Sequence, residues 1–234
     1  MKWNVQSSEK TMARGIVRQM GINPYTPVHD LQILLIDKLH RFEHEKDVCL
    51  LLQHEPVFTL GRHAKAHHLL MSPGQLKERG IELVHTERGG EVTYHGPGQI
   101  VCYPLLNLRR LKLRVVEYVD KLEQIMLDVV DHFGIAARRD ERNHGIWYGN
   151  QKLGSVGIAV RHGISYHGVA LNVSPDLTPF SWINPCGLSE VSMTSMAEIL
   201  SNNDNKFNLL AEVESIMARQ VNAVFATSQL EVYA

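Results

Sequence analysis

The stretch Ile146-Trp147-Tyr148-Gly149-Asn150-Gln151-Lys152-Leu153-Gly154-Ser155-Val156-Gly157-Ile158-Ala159-Val160 decides the fold class. Two β-prone runs, Ile146-Trp147-Tyr148 and Lys152 to Val160, flank Gly149-Asn150, a pair suited to a tight hairpin turn. Tyr166 to Val173 reads as the next strand. Outward from this hairpin, apolar runs mark strands at Arg14 to Met20 (ended by Gly21), Asp47 to Gln53, Val57 to Leu60, Ile81 to Thr86 and Ile100 to Leu106. Helical periodicities separate them. Leu31, Leu34, Leu35, Ile36 and Leu39 follow Thr26-Pro27, an expected N-cap with proline at the first helical position. Ser72-Pro73 starts a short helical turn. Val115, Val119, Leu122, Met126, Val129 and Phe133 form one stripe between about Arg114 and Phe133, stopped by Gly134. Phe207 to Phe225 carries a last stripe, with Leu210, Val213, Met217, Val221 and Val224 inward. This alternation predicts an α/β or α+β fold, and 234 residues suit one domain over residues 1–234.

Composition narrows the function classes. The formal net charge is −1, so there is no electrostatic case for nucleic acid or an anionic membrane. No apolar run approaches the ~20 residues of a membrane helix, and the N-terminus has no apolar signal region. Three cysteines without paired spacing argue for a reducing compartment, so a soluble cytoplasmic protein is expected.

Three segments stand apart from ordinary core. Arg88-Gly89-Gly90-Glu91-Val92-Thr93-Tyr94-His95-Gly96-Pro97-Gly98-Gln99 places four glycines between expected strands. Glycine lets a backbone approach a ligand, and Arg88 is a candidate anchor for a carboxylate or phosphate. A glycine-rich hairpin without a ligand would look the same. Lys152-Leu153-Gly154-Ser155-Val156-Gly157 sets a lysine at the head of a small-residue strand, where an extended ligand has room. In Phe180-Ser181-Trp182-Ile183-Asn184-Pro185-Cys186-Gly187-Leu188, Cys186 sits in a loop between proline and glycine. The N–H of Gly187 is a candidate oxyanion donor. Context alone leaves Cys186 equally a reactive or an inert thiol, whereas Cys49 and Cys102 read as small buried hydrophobes. His63, His67 and His68 are the rival, metal-binding cluster, with no second ligand group to support them.

Taken together, the segments resemble the bacterial octanoyltransferases, the lipoyl(octanoyl) transferases of lipoate biosynthesis. The glycine segment matches the family pattern RGG-x-x-T-[YF]-H-x-P-G-Q. The second matches K-[LI]-x-[SA]-[IV]-G, followed by His167-Gly168-Val169-Ala170-Leu171-Asn172-Val173, and the third F-x-x-I-x-P-C-G. Gln53 to Arg62 extends the likeness upstream. Gly154 replaces a common alanine, and the histidines at 63–68 are unusual.

The resemblance implies a mixed sheet flanked by helices, as in lipoate and biotin protein ligases. It implies an acyltransferase that moves an octanoyl group from acyl carrier protein to a lysine of lipoyl domains or the glycine cleavage H protein. Cys186 would carry the acyl thioester, and Lys152 would lower its pKa and shuttle protons. The implied pocket comprises Arg88, Gly89, Gly90, Glu91, Val92, Thr93, Tyr94, His95, Ser155, Val156, Gly157, Gly168, Val169 and Ala170. Neither ATP nor a metal is expected, because a thioester donor is already activated. The alternatives are an ATP-dependent ligase on the same fold, an octanoyl amidotransferase, and a protein that only binds acylated partners.

Overall fold

The structure, a computed structural model, describes residues 15–42, 46–65, 68–183, 192–201, 208–225 and 230–232. Its main sheet runs β10-β1-β2-β6-β9-β8-β7. These strands are β1 (Gly15–Asn23), β2 (Asp47–His54), β6 (Gln99–Leu105), β7 (Gly145–Tyr148), β8 (Gln151–Arg161), β9 (Ile164–Asn172) and β10 (Leu230–Val232). β1 is parallel to β2 and β10, and the other neighbours are antiparallel. A smaller sheet orders β4 (Glu82–His85), β3 (Val57–Leu60) and β5 (Val92–His95). The expected mixed sheet flanked by helices is the observed one.

β2 is buried on both faces, which is why Asp47 to Gln53 reads as a continuous apolar run instead of alternating. Cys49 and Leu51 face a core closed by α3 (Val115–Asp131) and α5 (Leu209–Phe225). Val48, Leu50 and Leu52 face the opposite core, under α1 (Tyr25–Arg41). The smaller sheet has its own core of Phe58, Leu76, Ile81, Tyr94, Phe180 and Ile183, with Leu76 supplied by α2 (Pro73–Glu78). Ser72 caps α2 and forms a capping box with Gln75. Helix α4 (Met196–Ile199) is a single turn.

Four details depart from expectation. Gly21 does not end β1; it sits at φ +69° in a register shift between Gln19 and Ile22, and the strand continues to Asn23. Pro24 occupies the N-cap of α1 instead of Thr26, whose hydroxyl donates to Glu82 Oε1 at 2.7 Å. Leu34 and Val115 are exposed, so each stripe is narrower than its apolar residues suggest. Finally, the glycine segment contains a strand of its own, β5.

Gly157 and Gly168 face each other across β8 and β9. A Cβ on Gly168 would lie 2.1 Å from the Cys102 carbonyl oxygen of β6. That neighbour is backbone and has little room to retreat. Gly168→Ala is therefore expected to destabilise the chain by roughly 1–3 kcal/mol. An unchanged urea midpoint in equilibrium unfolding would contradict this packing.

Candidate active site

The glycine segment meets β8 and β9 at a cavity of about 80 Å³. A single ordered water needs only ~10–15 Å³, so the space suits a larger guest. Arg88 to Thr93 and His95 line it from the glycine segment, Ser155 to Gly157 from β8, and Gly168 and Ala170 from β9. Two of the expected residues do not line it. Tyr94 turns into the core of the small sheet, against Phe58 and Phe180, and Val169 into the core under α3 and α5. Strand alternation sends both away from their neighbours' face.

Arg88 lines the cavity, but its side-chain nitrogens are engaged by the backbone of the loop and of β3. Its guanidinium is buried and turned inward. Nη2 donates to the carbonyl oxygens of Thr59 at 2.6 Å and Glu91 at 2.8 Å, Nη1 to that of Gly89 at 3.0 Å, and Nε to Thr59 Oγ1 at 3.1 Å. These bonds hold the loop in shape, and the N–H of Gly89 secures it to β8 through the Ile158 carbonyl at 2.8 Å.

Lys152 also lines the cavity, only 5% exposed. Lysine is rarely buried so deeply without a partner. Its Nζ donates to Asn143 Oδ1 at 2.8 Å and stands 5.5 Å from the Trp147 ring centroid. Asn143 is in turn positioned from α3. Glu123 Oε1 accepts from the Gly145 N–H at 2.8 Å, and its Oε2 from Arg139 Nε at 3.1 Å. Asn143, Trp147, Phe180 and Met193 line the cavity without having been expected there. Trp147 and Phe180 lie in segments the sequence had singled out, whereas nothing in the sequence pointed to Asn143 or Met193.

Cys186 lies outside the described residues, as do Gly187 and His67. What brackets Cys186 is described. Phe180 and Met193, on either side of it in the chain, both line the cavity. There the Lys152 N–H donates to the Ser192 carbonyl at 2.9 Å, and the Thr194 N–H to the Lys152 carbonyl at 3.0 Å. Lys152 thus offers its backbone to the 192–194 segment, and its own N–H is not left over for an oxyanion.

The state of His95 follows from a chain of amides. The Thr194 carbonyl can only accept, and Asn172 Nδ2 donates to it at 3.0 Å. Asn172 Oδ1 accepts from Gln99 Nε2 at 2.9 Å, which leaves Gln99 Oε1 to accept from His95 Nδ1 at 2.6 Å. His95 is therefore the Nδ1–H tautomer. Burial, then the neighbouring His54 and Arg88, push its pKa down to about 3. Burial brings His54 down to about 4. At neutral pH both rings are uncharged.

Compared with known proteins, the chain falls in one class: the family model for the lipoyl protein ligase A/B catalytic domain matches residues 26–220. An octanoyltransferase of Desulfotalea psychrophila is 47% identical over 180 residues, 76% of this chain and 81% of its own. One from Chromohalobacter salexigens is 42% identical over 205 residues, 88% and 90%. Among solved structures, a bi-partite lipoate protein ligase from Thermoplasma acidophilum superposes with TM-score 0.68 at 14% identity, over 94% of this chain and 88% of its own. A lipoate-protein ligase A bound with ATP gives 0.69 at 15%, over 94% and 90%. At such identities these two show the fold alone. The chain belongs to the octanoyltransferase family and is an acyltransferase that moves octanoyl groups in protein lipoylation.

The two lowered histidines make acid sensitivity calculable. Unfolded, each ring titrates near ~6.5; folded, near 4 and 3. Between pH 6.5 and about 4 the unfolded chain binds more protons, so stability is present above that window and lost as pH falls through it. Each ring contributes up to ~1.4 kcal/mol per pH unit. Urea midpoints should drop steeply from pH 7 to 5. A flat profile over that range would contradict the buried neutral histidines.

Proposed function

We propose that Cys186 is the acyl-carrying nucleophile and Lys152 its proton partner. The donor is octanoyl-acyl carrier protein. The acceptors are a lysine of lipoyl domains and of the glycine cleavage H protein. The observation that carries this is the placement of Lys152: its side chain is buried in the cavity wall, and its backbone is bonded to Ser192 and Thr194, which follow Cys186 in the chain.

In the first step the Cys186 thiolate attacks the thioester carbonyl, and the phosphopantetheine thiol leaves with a proton from Lys152. In the second, the acceptor amine attacks the Cys186 thioester, gives its proton to Lys152 and leaves an amide. One thioester replaces another of similar energy, so the step needs neither ATP nor a metal. The small residues Ser155, Gly157, Gly168 and Ala170 leave room for the acyl chain. Each buried CH₂ contributes ~0.8 kcal/mol, enough for modest chain-length selection. Residues 1–234 act as one catalytic domain in the cytoplasm. No helix among the described residues is long and apolar enough to cross a membrane.

The test is octanoyl transfer from acyl carrier protein to a lipoyl domain without ATP. Lys152→Met should lower kcat/KM by ~10²–10⁴ while far-UV circular dichroism stays unchanged. Activity close to that of the parent chain would contradict the role of Lys152. Strict dependence on ATP would point to a ligase.

A further inference from the structure

Three ligand-bearing side chains converge beside β9, on the side facing α1, and none of them lines the acyl cavity. His29 comes from α1, Glu87 from the turn before Arg88, and His167 from β9. Their donor atoms lie within 4.8 Å of one another. His29 Nε2 is 3.0 Å from Glu87 Oε2, and His167 Nε2 is 3.7 Å from the same oxygen. A tetrahedral ion with bonds of ~2.0–2.2 Å holds its ligand atoms ~3.3–3.5 Å apart. The two separations from Glu87 straddle that value, and the two histidine nitrogens lie within 4.8 Å of each other.

A second observation points to a guest. His167 is 1% exposed, and its Nε2 is buried with no hydrogen-bond partner. At 3.7 Å the Glu87 oxygen is too far to serve. Buried imidazole nitrogens are rarely left so, because the unmade bond costs ~1–3 kcal/mol. The ring is also held in place by an uncommon backbone: His167 has φ +53°, and its N–H donates to Gln32 Oε1 at 2.8 Å.

We propose that His29, Glu87 and His167 bind one divalent transition-metal ion of the zinc class, with water completing its coordination. Two imidazoles and a carboxylate suit zinc, and the half-exposed Glu87 side chain leaves the fourth position open to solvent. The ion would tie α1 to the residue before Arg88 and the residue before Gly168. It would brace the cavity from behind, and no step of the transfer runs through it.

The test uses the untagged full chain, stripped with chelator, and Zn²⁺ as the probe. Calorimetry should give one ion per chain, and Zn²⁺ should raise the melting temperature. His29→Ala and Glu87→Gln should each weaken binding by at least about tenfold. His40→Ala, which alters the stacked His40–His162 pair, should not change it. Absence of stoichiometric binding, or binding that survives both ligand substitutions, overturns the proposal. If either variant is misfolded by circular dichroism, anomalous scattering from zinc-loaded parent crystals decides. A peak among the three side chains supports the site, and a peak elsewhere or none overturns it.

Discussion

The buried Arg88 guanidinium is the contact on which the site depends. It gathers the carbonyls of Thr59, Gly89 and Glu91, and so joins the small sheet to the glycine loop. The glycines around it are its complement. A Cβ on Gly61 would lie 2.8 Å from Nη1, and one on Gly157 3.2 Å from Cδ. Hydrogen bonds from a charged donor contribute ~1.5–3 kcal/mol each, and they must offset the desolvation of a cation. A lysine in this place would lack the planar fork that spans several carbonyls at once. The polarity of the loop is thus largely spent on its own shape, and the cavity is what that shape leaves open.

Around that frame, the chemistry is positioned by layers. Glu123 holds the turn at Gly145, that turn carries Asn143, and Asn143 receives the Lys152 ammonium. Both β8 and the 192–194 segment meet at Lys152, so a single residue supplies the side-chain amine and the anchor for that segment. His95, held as a neutral tautomer by Gln99, Asn172 and Thr194, serves as a fixed wall of the cavity. The proposed reaction gives the proton movement to Lys152.

Much of this was legible in the sequence, and for physical reasons. The hairpin at Gly149-Asn150 was legible because its turn needs positive φ, and Gly149 adopts +56°. The stripes of α3 and α5 were legible because burial follows a helical period. The glycine segment, with the strands that begin at Lys152 and Tyr166, located most of the cavity wall. What was missed depended on contacts between distant segments. The bonds of Arg88 were hidden because its carbonyl partners include Thr59, far away in the chain. Asn143 carried no signal, since its role exists only once α3 and β7 bring it to Lys152. Thr26 looked like a cap because nothing local showed that Glu82 would claim its hydroxyl. The convergence of His29, Glu87 and His167 was likewise invisible: 138 residues of numbering separate its ends, whereas the 63–68 histidines drew notice merely by being adjacent.

The central claim is that acyl transfer passes through Cys186. The most direct measurement is the intact mass of the protein after incubation with octanoyl-acyl carrier protein, without ATP and without an acceptor. The account predicts one octanoyl adduct, released by hydroxylamine, mapped to Cys186 and lost in Cys186→Ala. An adduct that persists in Cys186→Ala, or transfer to a lipoyl domain that proceeds without this thiol, would contradict it.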